Sequence, residues 1–85
     1  MTLSPDQRVI RCSPVEVLLL RELLRDGARN EDIGARLNIT ANSVRTHLLR
    51  IYRRLPDGLT RIGLVLALIR EQIVVVDLQG RVVEF

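Results

Sequence analysis

Residues 40–55 carry the clearest pattern of apolar and polar positions in the chain. On a helix of about 3.6 residues per turn, four apolar side chains form one narrow stripe of the kind that docks on a core, and they are Val44, Leu48, Ile51 and Leu55. The opposite face and its flanks carry Asn42, Arg45, Thr46, Leu49, Arg50 and Arg53. Thr40 should cap this helix, because its hydroxyl can accept a hydrogen bond from an amide of the first turn.

The front of this helix allows two interpretations. A face of short polar side chains and arginines has the shape and charge to enter a DNA major groove. An ordinary surface helix also carries a basic, solvated face, and the helix alone does not separate the two. From Ile33 to Pro56 the chain has no acidic residue. The segments that precede the helix decide between the two interpretations.

The first of these segments is a predicted helix with a strong start. Ser13 is the expected cap, Pro14 takes the first helical position, and Glu16 completes a capping box. The helix should run to about residue 25 and end at Gly27, which can adopt a left-handed conformation. Its many leucines predict burial on more than one side.

A second, shorter helix is predicted to begin at Asn30, whose side chain would cap it. Glu31 and Asp32 lie in its first turn, where the positive end of the helix dipole favours acids. Asn38 can adopt positive φ at low cost and should end the helix before Thr40 starts the next one. A helix, a tight turn and a helix over residues 30–55 have helix-turn-helix geometry.

A fourth helix is predicted over residues 61–72, after a Pro56-Asp57-Gly58 break and a Thr60 cap. The predicted core stripe of this helix consists of Ile62, Leu66, Ile69 and Ile73. Leu64 and Leu68 lie nearly opposite that stripe, where a lone domain would leave them in water. A second apolar seam favours a partner, so these two leucines are predicted to form a dimer interface.

The remaining segments are predicted to be extended. The β-branched tail should form a hairpin, with Asp77 and Gly80 at the first and fourth positions of a type I turn closed by a glycine bulge. A two-stranded hairpin is marginal alone, so residues 8–12 are expected either to add a strand or to leave the tail to pair with another subunit. The predicted organisation is a lead-in over residues 1–12, a mainly α-helical four-helix domain over 13–73 and a hairpin tail over 74–85.

Composition narrows the classes of function. The chain has 85 residues, enough for one small domain with an aliphatic core but not for a large enzymatic cleft. Its net charge is +3 and all 13 basic residues are arginine, with acids concentrated outside the middle third. That asymmetry favours a polyanionic partner on one surface. The preference for arginine over lysine has a second explanation, which is a GC-rich genome.

Several other classes are disfavoured. His47 has no positioned nucleophile or carboxylate partner, and no metal-ligand or glycine-rich phosphate motif occurs, so neither an enzyme nor a cofactor or metal site is expected. The longest apolar run, residues 64–69, is too short to span a membrane. No secretion signal is recognisable, so a cytoplasmic location is expected, with Cys12 as a free thiol.

Positions in the predicted helix-turn-helix follow a known family pattern, and they are Asn30, Asp32, Ile33, Gly34, Leu37, Ile39, Thr40, Ser43, Val44, Arg45 and His47. Ser13, Pro14, Glu16 and Gly27 are similar to the opening of the same pattern. Residues 13–73 therefore resemble the LuxR/GerE-type helix-turn-helix DNA-binding domain. The Pro56-Asp57-Gly58 loop and the β-rich tail depart from the pattern.

The resemblance implies double-stranded DNA as the partner and assigns contacts by position. Arg45 and Thr46 would meet bases, with Leu49 against a thymine methyl group. Phosphate contacts are implied for Asn30, Ser43 and Arg50. From the helix face itself, Asn42 is added to the base contacts and Arg53 to the phosphate contacts. Arg54 is expected to lie near phosphate or in solvent, and His47 is expected to pack at the edge of the core.

Two functions follow from these observations. The leading hypothesis is a sequence-specific DNA-binding transcriptional regulator that acts as a homodimer through the fourth helix, with the valine-rich tail as a candidate extension of the interface. The alternative is a protein-interaction module on a helix-turn-helix scaffold, which docks a sigma factor or another regulatory protein through the Leu64 and Leu68 seam and the tail.

Overall fold

The computed structural model describes residues 7–85 of the chain. The elements in this part are, in order, β1 (Arg8–Arg11), α1 (Pro14–Asp26), α2 (Asn30–Leu37), α3 (Ala41–Tyr52), α4 (Arg61–Ile69) and β2 (Ile73–Val76). The mainly α-helical, four-helix class predicted above is confirmed over this range. The lead-in over residues 1–6 lies outside the described residues. No helix within residues 7–85 is long and apolar enough to cross a membrane.

The start of α1 has the predicted capping box. The hydroxyl of Ser13 accepts a hydrogen bond from the amide of Glu16, and the Glu16 carboxylate accepts one from the amide of Ser13 at 2.8 Å. Gly27 ends the helix with φ of 63°, as expected of a glycine in the left-handed region. The leucines on the inner side of α1 are buried, but Leu18 is 49% exposed, so the helix is buried on fewer sides than its sequence suggests.

The second helix begins differently from the prediction. Arg29, not Asn30, occupies the N-cap, and no side chain caps α2. Asn38 ends α2 with φ of 58°, as predicted. Gly34 matters for the turn that follows, because a Cβ there would lie 2.6 Å from the carbonyl oxygen of Ile39. A side chain at this position would push the turn, and with it α3, away from α2.

The face of α4 that meets the core is the reverse of the prediction. Leu64 is fully buried and Leu68 is 8% exposed, whereas Ile62 and Ile69 are 73% and 64% exposed. The prediction of an outward seam at Leu64 and Leu68 is therefore wrong. The cause is composition: α4 is apolar at nearly every position, so helical periodicity allows two stripes and does not select one.

The helix also ends early. It stops at Ile69, and Glu71 then adopts φ of 57°, which redirects the chain into β2. Ile73 consequently belongs to β2 and not to the stripe of α4.

The predicted pairing of the N-terminal segment is confirmed, and its direction is parallel. In the register of β1 and β2, Arg8 lies opposite Ile73 and Arg11 opposite Val76. The predicted turn after β2 is present, because the amide of Gly80 donates to the carbonyl of Asp77 at 3.0 Å. The return segment is not a regular strand, since it pairs with β2 through a single antiparallel bridge between Val76 and Val82.

Candidate nucleic-acid interface

The orientation of α3 is set by its apolar back. Val44, Leu48 and Ile51 are buried in the core shared with α1 and α2, as the periodicity predicted. Thr40 caps the helix by accepting the amide of Ser43 at 3.0 Å. With the back and the start both fixed, the opposite face of α3 points away from the protein. The exposed residues on that face include all six predicted there, namely Asn42, Arg45, Thr46, Leu49, Arg50 and Arg53.

Hydrogen bonds within α3 order the short polar side chains of this face. The Thr40 hydroxyl donates to Ser43 Oγ at 2.9 Å, which leaves the hydrogen of the Ser43 hydroxyl available to another acceptor. The Thr46 hydroxyl donates to the carbonyl of Asn42 at 3.0 Å, which holds its methyl group and oxygen in one orientation. Leu49 is 46% exposed and supplies the apolar part of the surface.

The arginines of the front differ from Arg36 in their partners. Arg45, Arg50 and Arg53 form no ion pair within residues 7–85. In contrast, Arg36 lies 2.9 Å from an oxygen of Asp26 and 3.1 Å from one of Glu22. The three front arginines therefore keep their charge and their donors available to a phosphate or a base edge.

Arg54 was expected near phosphate or in solvent, and the structure places it elsewhere. Its Nη1 lies 2.9 Å from Oε2 of the buried Glu16 and 3.9 Å from the buried Cys12 sulfur. Burial raises the pKa of the Cys12 thiol to about 11. The side chain of Arg54 thus joins the end of α3 to the start of α1 and takes part in the fold.

Glu16 performs two roles with its two carboxylate oxygens. One oxygen accepts a hydrogen bond from the Ser13 amide in the capping box, and the other accepts a hydrogen bond from the Arg54 guanidinium. Burial alone raises the pKa of Glu16, but the Ser13 amide and Arg54 outweigh burial and hold the pKa below its usual value. The capping box was recognisable in the sequence; its coupling to Arg54 depends on the tertiary fold.

Asn30 lies at the beginning of α2 and is held by a residue that the sequence did not single out. Its Oδ1 accepts a hydrogen bond from Nη1 of Arg61 at 2.7 Å, and Nη2 of Arg61 donates to the carbonyl of Ala28. Arg61 is the first residue of α4, where the positive end of the helix dipole disfavours a cation. That unfavourable position marks Arg61 in the sequence, but the sequence does not show that its partner is Asn30.

The remaining predicted residues stand as follows. Ser43 and His47 are half-buried at the edges of α3. Leu64 and Leu68 lie in the core, and the exposed apolar side chains of α4 are Ile62, Leu66 and Ile69. No group of histidine, cysteine, aspartate and glutamate side chains within residues 7–85 is arranged to hold a metal ion.

Comparison with protein families agrees with this arrangement. The family model described as "Bacterial regulatory proteins, luxR family" (GerE) matches residues 13–56, which is more than half of the chain and contains α1, α2 and α3. No curated protein and no solved structure matches significantly. The match begins at the Ser13 cap and includes α3, on whose exposed face Arg45, Arg50 and Arg53 lie. The chain belongs to the LuxR family of bacterial regulatory proteins.

Proposed function

We propose that the chain is a sequence-specific DNA-binding transcriptional regulator, with α3 as the recognition helix in the major groove. The observation that carries the proposal is the front of α3, where three exposed arginines have no carboxylate partner within residues 7–85. Membership in a family of DNA-binding regulators supports the same function. A rigid helix with an ordered polar front and free cations has the chemistry that a groove requires.

Roles on this surface follow from reach and chemistry. Arg45, the fifth residue of α3, is the candidate for a bidentate contact to guanine. Asn42 and Thr46 are the candidates for hydrogen bonds to base edges, and Leu49 for contact with a thymine methyl group. The proposed phosphate contacts are Asn30, Ser43, Arg50 and Arg53.

We further propose that the protein acts as a dimer through α4. One recognition helix reads only a few base pairs, too little to select a site among about 10⁶ competitors. Two copies would read half-sites about one helical turn apart. Since Leu64 and Leu68 are in the core, the residues proposed for the interface are Ile62, Leu66 and Ile69, whose exposed fractions are 73%, 40% and 64%.

The test of DNA binding begins with selection of bound duplexes from a random pool. Affinity for a selected duplex is then measured by fluorescence anisotropy over a range of salt concentrations. The logarithm of the association constant should fall with the logarithm of salt by about 0.9 per phosphate neutralised. Arg70→Ala, which removes an exposed charge outside the helix-turn-helix, is the control and should leave the slope unchanged. A flat response in the wild type would reject DNA binding.

Dimerisation is tested by sedimentation of the wild type and Leu66→Arg, free and on DNA. The variant should be folded and monomeric with weaker operator binding, because a charge cannot be buried unpaired in an apolar interface. Leu78→Arg places the same charge on an exposed apolar residue of the tail turn and should behave as the wild type. A wild type that stays monomeric on DNA would favour the alternative function, in which the exposed apolar surface of α4 docks a sigma factor or another regulator.

A further inference from the structure

Arg61 connects parts of the molecule that are distant in sequence. From the first position of α4, its guanidinium donates through Nη1 to Oδ1 of Asn30 at 2.7 Å and through Nη2 to the carbonyl of Ala28. Burial raises the pKa of the Tyr52 hydroxyl, and the nearby charge of Arg61 offsets part of that effect. The guanidinium therefore lies between α4, the α1–α2 connection and the end of α3.

The chemistry of the two side chains fixes which way the Asn30 amide faces. A guanidinium has donors and no acceptor, whereas a carboxamide has one oxygen acceptor and one NH₂ donor group. The oxygen of Asn30 must therefore face Arg61, and Nδ2 must face away from it.

Nδ2 of Asn30 is free to donate outward. It forms no hydrogen bond within residues 7–85, and no buried side-chain nitrogen or oxygen in that range lacks a partner. Nδ2 is therefore in contact with solvent. The adjacent guanidinium also polarises the amide, which strengthens Nδ2 as a donor.

We propose that Arg61 is a positioning residue for DNA binding, which holds the Asn30 amide with Nδ2 outward so that Nδ2 donates to a phosphate of the duplex. This inference rests on the DNA-binding function proposed above, and it assigns a role to a residue outside the matched family region of residues 13–56. Arg61 itself does not need to touch DNA. It removes the alternative amide orientation, in which a carbonyl oxygen would face the phosphate and repel it.

The decisive variant is Asn30→Asp. A carboxylate keeps an acceptor toward Arg61, so the unfolding temperature should stay the same or rise. The second oxygen now faces the phosphate, so affinity for the selected duplex should fall by about tenfold or more. Asn38→Asp adds the same charge at the other end of α2 and should cause a smaller loss. Both are measured by anisotropy at low and high salt, with thermal unfolding as the check on folding.

A double-mutant cycle then connects Asn30 to Arg61. Asn30→Ala and Arg61→Met should each weaken binding severalfold, and adding Asn30→Ala to Arg61→Met should change affinity by less than about twofold. Arg61→Lys, which keeps one donor but not the fork, should bind with an intermediate affinity.

The outcomes separate this inference from the proposed function. If the wild type shifts no duplex, DNA binding itself is rejected. If the wild type binds but Asn30→Asp binds equally well, or if the losses in the double variant are additive, Arg61 serves the fold alone and the inference is overturned. Should Arg61→Met fail to fold, Asn30→Asp and its Asn38→Asp control still decide, because neither removes the Arg61 side chain.

Discussion

The two sides of the helix-turn-helix use arginine in opposite ways. On the side of α1, Arg36 and Arg54 are bonded to carboxylates and join one helix to another. On the front of α3, Arg45, Arg50 and Arg53 have no ion pair within residues 7–85 and project into solvent. The same residue type therefore holds the fold together on one side and leaves its charge available on the other.

The comparison shows why net charge describes this protein poorly. The formal charge is only +3, because ten carboxylates offset most of the thirteen arginines. The offset is local, since charges beyond a Debye length of about 8 Å at physiological salt are largely screened from each other. The carboxylates beside Arg36 and Arg54 neutralise those two cations first, and no ion pair within residues 7–85 neutralises Arg45, Arg50 or Arg53.

The largest effect is expected from a substitution on the side of α1, where Glu16 pairs with Arg54. Glu16→Ala removes the carboxylate half of the capping box and leaves Arg54 without its counterion, which should lower the free energy of unfolding by roughly 2–4 kcal/mol. This loss in the free energy of unfolding is smaller than for a fully buried ion pair because the Arg54 side chain is 37% exposed. Urea unfolding measures it. Glu31→Ala, which removes an exposed carboxylate from α2, should cost far less, and equal losses would contradict the role of Glu16.

The same pair predicts a dependence of stability on pH. The folded protein holds the pKa of Glu16 below its ordinary value of 4.5, so this carboxylate stabilises the fold fully above that value. The contribution is lost as pH falls through the depressed pKa. Unfolding free energies measured between about pH 7 and pH 3 should therefore fall less steeply for Glu16→Gln than for the wild type. Identical slopes would show that Glu16 is not coupled to folding.

On the front of α3, Arg45→Ala should lower the discrimination between base pairs. A bidentate contact to guanine contributes about 1–3 kcal/mol of discrimination, so the variant should lose preference at one or two positions of the site. Competition between the selected duplex and single-base variants measures this loss. An equal loss of affinity for selected and random duplexes would make Arg45 a phosphate contact.

Arg50→Ala should have a smaller and more uniform effect. Removing one phosphate contact should weaken all duplexes alike and reduce the salt slope by about 0.9. Anisotropy titrations at several salt concentrations, with specific and random duplexes, measure both quantities. A preference that changes with sequence would instead place Arg50 against a base.

The smallest effect is expected from Arg36→Ala, which removes a cation that is already neutralised. The pair of Arg36 with Asp26 is exposed to solvent, which screens it, so the free energy of unfolding should fall only slightly. The salt slope of DNA binding should not change. A slope reduced as much as in Arg50→Ala would remove the distinction between paired and unpaired arginines.

The sequence determined α3 far better than α4, and the reason is contrast. In α3 one apolar stripe lies in a mostly polar segment, so periodicity alone identifies Val44, Leu48 and Ile51 as buried. In α4 nearly all positions are apolar, and the neighbouring elements select the side that becomes buried. Leu64 was therefore assigned to the wrong face.

Polar contacts between sequence neighbours were also easier to predict than those between distant residues. The Ser13 capping box and the Asp77 turn are local, and both were predicted from a few neighbouring residues. The Arg54 and Arg61 contacts join residues 38 and 31 positions apart, so no local pattern contains them. Asn30 shows the consequence, since a residue type that often caps helices is here engaged by a distant arginine.

The parallel pairing of β1 with β2 has a consequence for the order of folding. Its contacts are among the most distant in the chain: Gln7 donates to the carbonyl of Glu71 across 64 positions. Local helices can form and pack before so long a loop is closed. Closing the loop costs conformational entropy, and the strand contacts offset that cost only after the loop has closed. β1 and β2 should thus join late, and hydrogen exchange at the amide of Ile10 would report when the two ends of the domain meet.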